Sequence, residues 1–294
     1  MPESPEGTRD NYARGSLAAF LSAVGFGSLP IFAVFAYREG VSVLTLLSFR
    51  FFFSSIFLAL FMIRRGIKFL PARSSLVGLL KLGIIYTVFN FTYFTAFELI
   101  PASLAALIFY VYPALVALLA YIQGEERLSW TRAAAIAAAF FGIYLVYHDF
   151  TAVAVLPGLI AAFSSAVLYA FYVMAGSSSL KSVSLPAVVF FTCLLAAVSF
   201  ITAGGFMGEL DLTFSRQALL SLTAITVVSL SGLLLFLYGV KNTSPTIASV
   251  ASMVEPVVTV FLSLLILAET FSSIQYAGGV LVIAASAYIV IKRA

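Results

Sequence analysis

The chain has 294 residues, of which 62% are hydrophobic and only 10% are charged, and its formal net charge at pH 7 is +4. Soluble domains carry about a quarter charged residues, so this composition excludes an ordinary water-soluble protein. The only cysteine, Cys193, excludes an intramolecular disulfide and a multi-cysteine metal site, and the sequence predicts no metal and no cofactor.

Residues 1–14 are predicted to form a disordered cytoplasmic tail. They combine three acidic residues with two prolines and a glycine, and a long apolar run follows them directly. A secretory signal would start with basic residues and end a short apolar run at small ones. The first apolar run is therefore interpreted as a retained membrane span.

Ten apolar runs follow one another along the chain, separated by short breaks that hold charges and turn-forming residues. The runs are continuously apolar and lack the alternation that a transmembrane β-barrel requires, which predicts helices. The fold class is thus an all-α integral membrane protein. The predicted spans are residues 15–37, 42–63, 76–97, 102–122, 131–147, 155–175, 184–207, 217–239, 246–267 and 272–291.

The basic residues predict the orientation of these spans, because cytoplasmic loops carry an excess of Lys and Arg. One side of the membrane receives twelve of them and the other receives only Arg38 and Arg216, while Arg50 and Lys81 lie within spans. Both termini are therefore predicted to be cytoplasmic. Topology explains the basic residues, so nucleic-acid binding is not expected. The twelve are Arg9, Arg14, Arg64, Arg65, Lys68, Arg73, Arg127, Arg132, Lys181, Lys241, Lys292 and Arg293.

The second half of the chain repeats the first after a shift of 143 positions. Pro113 then falls on Pro256 and Glu126 on Glu269, while Cys193 takes the place of Arg50. Each half holds five spans, and the odd number forces the second half to enter the membrane in the opposite direction. The predicted domains are a first five-helix repeat over residues 15–147 and a second, inverted five-helix repeat over residues 158–294.

The segments around the two matched prolines resemble the signatures of the EamA family of the drug/metabolite transporter superfamily. Arg50 also resembles an arginine often found in the second span of that family. The second half departs from the family pattern at Ala268, where a glycine usually precedes the glutamate. The matching segments are Val111–Ala120, Gly124–Ser129, Glu255–Phe261 and Leu267–Phe271.

This resemblance implies a transporter in the bacterial inner membrane that exports small metabolites, amino acids prominent among them. Within the family, the aromatic amino-acid exporters of the YddG type are the subgroup to which the chain is compared. The partners implied are a small-molecule substrate and the lipid bilayer. The oligomeric state is left open, with a monomer as one option.

Three prolines, Pro30, Pro113 and Pro256, fall within predicted spans one, four and nine. A proline inside a helix removes a backbone hydrogen bond and bends the helix, so these positions are candidate hinges. The alternative is an ordinary membrane-helix proline whose freed carbonyl is satisfied by neighbouring groups.

Two charged residues, Glu255 and Arg50, lie well inside predicted spans, where an unpaired charge costs on the order of 3 kcal/mol. Glu255 is a candidate for proton coupling or for binding a substrate amine, and its structural alternative is a hydrogen bond that holds a bent helix. Arg50 is expected to pair with Glu255 or to extend toward the membrane surface, and binding of a substrate carboxylate is the less favoured alternative.

Polar and aromatic residues on several spans are candidates for a substrate pocket, because a small-ligand site needs apolar walls and a few polar groups. Tyr86, Asn90 and Tyr93 share one face of span three by their helical spacing. Packing between helices is the alternative explanation of such a face. The other candidate substrate-binding residues are Tyr110, Tyr169, Tyr238, Ser252 and Glu255.

The sequence therefore predicts a secondary transporter that works by alternating access through a central cavity in the middle of the membrane. The alternatives are a membrane channel and a lipid-moving or structural membrane protein. An enzyme is not expected, because one histidine and one cysteine on different parts of the chain provide no catalytic cluster. No phosphate-binding loop is present for an ATP-driven pump.

Overall fold

The computed structural model describes residues 5–67, 73–123, 130–147, 155–179, 183–242, 252 and 254–293. No strand occurs in these ranges. The helices are α1 (Pro5–Arg38), α2 (Val43–Arg65), α3 (Arg73–Leu99), α4 (Ala102–Phe109), α5 (Tyr112–Ile122), α6 (Trp130–Tyr147), α7 (Leu156–Ser179), α8 (Leu185–Met207), α9 (Arg216–Asn242), α10 (Val254–Ile266) and α11 (Ser273–Arg293).

The helices confirm the ten predicted spans of a multi-pass membrane protein. Five of them, α1, α2, α3, α8 and α9, are long and apolar enough to cross a bilayer. Shorter apolar helices occupy the other five spans, and α4 with α5 makes up span four. Part of predicted span nine, residues 246–251, lies outside the described residues.

The first span differs from the prediction at its start, because residues 5–14 are helical and continue into the membrane helix. Once a helix has formed, each further residue adds one hydrogen bond, so extension is easier than nucleation. Over residues 5–14 the structure therefore has a helix where a disordered tail was expected.

Span four differs from the prediction in its middle, where Tyr110 and Val111 form a turn between α4 and α5. The Val111 amide donates to the Ile108 carbonyl at 3.2 Å, a tighter pattern than that of an α-helix. Pro113 has no N–H for the carbonyl of Phe109, and it lies in the first turn of α5, where proline is tolerated. Pro256 lies likewise in the first turn of α10.

The caps of the second span correct one detail of the repeat. Ser42 precedes α2 and Gly66 ends it, while Ser184 and Gly208 have the same roles in α8. Both glycines adopt positive φ, 63° and 68°, which a helix-ending residue needs and glycine adopts without strain. Ser42 and Ser184 lie 142 positions apart, as do the two glycines, so Arg50 corresponds to Thr192 and not to Cys193.

The contacts between helices obey a pseudo-twofold relation between the halves. In the repeat, α1 corresponds to α7, α2 to α8, α3 to α9, the pair α4 and α5 to α10, and α6 to α11. The structure packs α1 against α9 and, as its counterpart, α7 against α3. The pairs α2 with α8 and α6 with α11 are their own counterparts. Five spans in each half make the two repeats inverted in the membrane.

Candidate functional site

A cluster of aromatic rings fills the space between α3, the break in span four, and α7. The rings contact one another directly: the centroid of Tyr93 is 4.4 Å from that of Phe109, and the centroids of Tyr112 and Tyr169 are 4.8 Å apart. This aromatic cluster consists of Tyr86, Phe89, Tyr93, Phe97, Phe109, Tyr110, Tyr112, Tyr169 and Tyr172.

Local spacing explains how these rings come together. On α3, positions 86, 89, 93 and 97 follow the helical repeat and share one face. On α7, Tyr169 and Tyr172 are three residues apart, and their rings stack with centroids 5.8 Å apart. The turn between α4 and α5 releases its residues from helical spacing, so Phe109, Tyr110 and Tyr112 join the same cluster.

Glu255 lies in the first turn of α10 beside this cluster, and it is half-buried. The Tyr110 side chain adjoins that of Glu255, and its hydroxyl donates to the carbonyl of Ser252 at 2.8 Å. Tyr93 and Tyr169 lie close enough to Glu255 for an electrostatic interaction with its carboxylate. The site thus joins the break of span four to the start of α10.

Two expectations for Arg50 are wrong: it does not pair with Glu255, and it does not extend to the membrane surface. Only 6% of the residue is exposed. Its Nε donates to Ser229 Oγ at 3.1 Å and its Nη1 donates to Asn90 Oδ1 at 3.2 Å. Helices α2, α3 and α9 enclose the guanidinium, so its nearest acceptors are neutral.

Two phenylalanine rings complete the surroundings of Arg50. The guanidinium carbon is 4.8 Å from the ring centroid of Phe51 and 5.1 Å from that of Phe94. Such contacts between a cation and an aromatic face are attractive when water is excluded. The structure therefore holds Arg50 through residues of three helices in both repeats.

The structure unites most of the predicted site residues, with Tyr238 as the exception. Tyr86, Tyr93, Tyr110 and Tyr169 belong to the aromatic cluster, and Ser252 and Glu255 adjoin it. Asn90 lies with Arg50. Tyr238 is 44% exposed on α9 and makes no ring contact with the described residues. Tyr238 was a candidate only as an aromatic residue within predicted span eight, without a spacing argument for the face on which it lies.

Ser229, Phe51 and Phe94 are site residues that the sequence reasoning missed. The shift of 143 positions places Ser229 opposite Tyr86, which could have suggested it as a counterpart in the second repeat. The two phenylalanines carried no such signal among 29 in the chain.

Of the candidate hinges, Pro30 is buried within the continuous helix α1, while Pro113 and Pro256 follow helix starts.

Hydrogen bonds between the repeats close one end of the helix bundle. Ser42 and Thr45 donate their hydroxyls to the Glu209 carbonyl at 3.0 and 2.8 Å, which ties the start of α2 to the connection before α9. In that connection, the hydroxyl and amide of Thr213 bond to Asp211 and hold the pKa of its carboxyl below the usual range. This is the first latch.

The second latch joins Glu269 to the start of α4. Its carboxylate accepts the amides of Ala102 and Ser103 at 2.9 and 3.3 Å, together with the Ser103 hydroxyl. A carboxylate at a helix N-terminus is favoured by both the free amides and the helix dipole. Successive hairpins alternate in direction, so both latches lie at the same end of the bundle, here named the closed end.

Comparisons with known proteins agree with this architecture. The sequence model of the EamA-like transporter family matches residues 13–148 and, a second time, residues 156–291. One solved crystal structure of a protein superposes with a TM-score of 0.65 at 19% identity, covering 96% of this chain and 98% of that chain. At that identity the likeness shows the fold alone. No curated protein sequence matches significantly.

Proposed function

The chain belongs to the EamA-like transporter family, and from that premise we propose that it exports small metabolites, amino acids foremost, as a secondary transporter. Members of this family are transporters and not enzymes. The export path runs through a chamber between the two inverted repeats. The protein lies in the bacterial inner membrane with both termini in the cytoplasm, as the distribution of basic residues favours.

One observation carries this proposal: a carboxylate, Glu255, sits beside the break of span four among tyrosine rings contributed by both repeats. Transporters built from inverted repeats bind their substrates where interrupted helices meet near the middle of the membrane. The Tyr110 hydroxyl joins the break of span four to Ser252 of predicted span nine at that point.

The chemistry of the aromatic cluster and Glu255 favours an amino acid with an apolar or aromatic side chain. Glu255 is suited to a substrate ammonium group, and the faces of Tyr93, Tyr112 and Tyr169 attract both cations and rings. The same carboxylate could instead carry a proton through the membrane. Binding of an amine and proton transfer are separate roles that pH-dependent kinetics distinguish.

Alternating access follows from the repeat, because an exchange of the two repeat conformations opens the opposite side of the chamber. The closed end then faces the outside of the cell, and its two latches must open during export. Pro113 follows the interruption of span four and Pro256 lies in the first turn of α10, and both are candidate hinges. Pro30 is the candidate hinge of α1.

Counterflow in proteoliposomes tests the proposal. Vesicles that contain the purified protein and unlabelled L-phenylalanine are expected to accumulate labelled L-phenylalanine transiently and with saturable kinetics, whereas protein-free vesicles are not. Linear flux without counterflow would instead identify a channel. Redistribution of labelled phospholipid without solute flux would identify a lipid-moving protein.

A further inference from the structure

We propose that Arg50 is the binding site for the carboxylate group of the substrate. The residue is buried, yet the structure provides it with no counterion: both oxygens that it contacts, Ser229 Oγ and Asn90 Oδ1, are neutral. Within the described ranges it forms no ion pair. This inference rests on the proposed transport function and names one chemical group of the substrate.

The energetics of a buried guanidinium support this assignment. An ionised group removed from water is strongly unfavourable unless it is paired and hydrogen-bonded. Arginine cannot escape the penalty by losing its proton, because its pKa in water exceeds about 12. Two neutral oxygens and two aromatic faces offset part of the penalty. A substrate carboxylate would supply the missing negative charge.

The neighbours of Arg50 hold it in a fixed orientation. Asn90 donates its Nδ2 to the Tyr86 carbonyl at 2.8 Å, so its Oδ1 is the atom that faces the guanidinium. Ser229 donates its own hydroxyl to the Thr226 carbonyl at 3.1 Å, which leaves its oxygen to accept from Arg50. The Nη2 group makes no hydrogen bond with the described residues. A guanidinium with free N–H groups in a fixed plane is suited to bind a carboxylate.

The position of Arg50 connects it with the aromatic cluster. Phe51, which packs under the guanidinium, lies 5.8 Å from the ring of Tyr86. Phe94, its second ring neighbour, lies 6.2 Å from the ring of Tyr93. The ring contacts thus run from Arg50 toward Glu255. A solute with a carboxylate and an adjoining apolar group would meet a cation at Arg50 and aromatic rings beside it.

Transport by Arg50 variants gives the first test, with L-phenylalanine and L-phenylalaninamide as probes. In R50Q the KM for L-phenylalanine counterflow is expected to rise about tenfold or more, since hydrogen bonds to charged groups are lost. The preference for the acid over the amide should disappear, and R50K should recover part of it. The control is R65Q, because Arg65 is exposed on the same helix. A wild-type KM and preference in R50Q would overturn the inference.

Chemical modification gives a second test that requires neither transport nor a folded variant. Wild-type protein is treated with phenylglyoxal, and mass spectrometry follows modification at Arg50, with Arg65 as the accessible reference. 3-Phenylpropionate is expected to protect Arg50, whereas phenethylamine is not. No reaction at Arg50, or equal protection by both compounds, would overturn the inference. Protection without any counterflow would contradict the proposed function and leave the carboxylate site intact.

Discussion

At the residue scale, the two charges of the site belong to one repeat each and have no charged counterpart in the other. The 143-residue shift places Tyr112 opposite Glu255, and the helix caps place Thr192 opposite Arg50. The symmetric fold is therefore built without charge at the corresponding positions.

The variant Glu255→Gln tests the carboxylate with little change in shape. The amide has nearly the same size, but it can neither carry a proton nor neutralise an ammonium group. Folding should be unchanged, and the counterflow rate should fall about tenfold or more, or lose its dependence on a pH gradient.

The size-exclusion profile of each protein reports folding. The counterflow rate is measured between about pH 5.5 and about pH 8, a range in which buried carboxylic acids can gain or lose their proton. The control is Glu98→Gln, because Glu98 is an exposed carboxylate on α3. If Glu255→Gln keeps the rate and pH profile of the parent, Glu255 has only a packing role.

At the scale of elements, close approach of helices depends on glycines at particular contacts. A Cβ on Gly27 would meet the Glu255 carbonyl at 2.6 Å, so α1 packs directly against the first turn of α10. The Thr259 hydroxyl donates to the Gly27 carbonyl at 2.9 Å across the same contact. Small residues let membrane helices approach until their backbones interact. The Glu255 region is thereby anchored to the first span.

Gly142→Ala should destabilise the pairing of α6 with α11. The new Cβ would lie 2.8 Å from both the Gly278 carbonyl and Val282 Cγ2, and the carbonyl cannot move without its helix. Overpacking of this kind costs about 1–3 kcal/mol, so the midpoint of thermal unfolding in detergent should fall by several degrees.

The matched control for that measurement is Gly205→Ala. Its Cβ would meet only Leu210 Cδ1, at 4.0 Å, and alanine is favoured over glycine inside a helix. The unfolding midpoint of this variant should be unchanged or slightly higher. Equal midpoints for the two variants would contradict the role of Gly142 in helix packing.

At the scale of the whole molecule, the two latches link the first repeat to the second, and both lie at the closed end. The first latch joins the start of α2 to the connection before α9, and the second joins Glu269 to the start of α4. Each latch joins the first repeat to the second. Under the proposed alternating access, the equilibrium between closed and open states is therefore expected to depend on these few hydrogen bonds.

Glu269→Gln should favour opening of the closed end, because it removes the negative charge at the α4 N-terminus. Cys193, the native single cysteine, is 4% exposed and close to Arg50, so its reaction with a membrane-impermeant thiol reagent reports the opening. In Glu269→Gln, the labelling rate of Cys193 by reagent added at the closed end should rise about tenfold.

Glu209→Gln is the matched control, because the first latch uses the backbone carbonyl of Glu209 and not its side chain. Its labelling rate should equal that of the parent protein. A parental rate in Glu269→Gln, or a rise only when the reagent is added to the other side, would show that the latch does not hold this end closed.

The number of spans, their helical nature and the inverted repeat followed from the sequence. Apolar length, charge placement and internal repetition can all be read along the chain without knowing which helices contact one another. The site followed only in part. Spacing predicted that Tyr93 would face other helices, whereas Tyr238, chosen only as an aromatic residue of a predicted span, is 44% exposed. Helical spacing identifies a face and leaves its neighbour undetermined.

Tertiary structure decided which distant groups meet. Arg50 reaches Ser229, 179 positions away, and Tyr110 reaches Ser252, 142 positions away. Such contacts depend on how the helices of two repeats cross and how far each slides along the other. Those variables are set by side-chain packing over the whole bundle, so the periodicity of a single span carries no information about them.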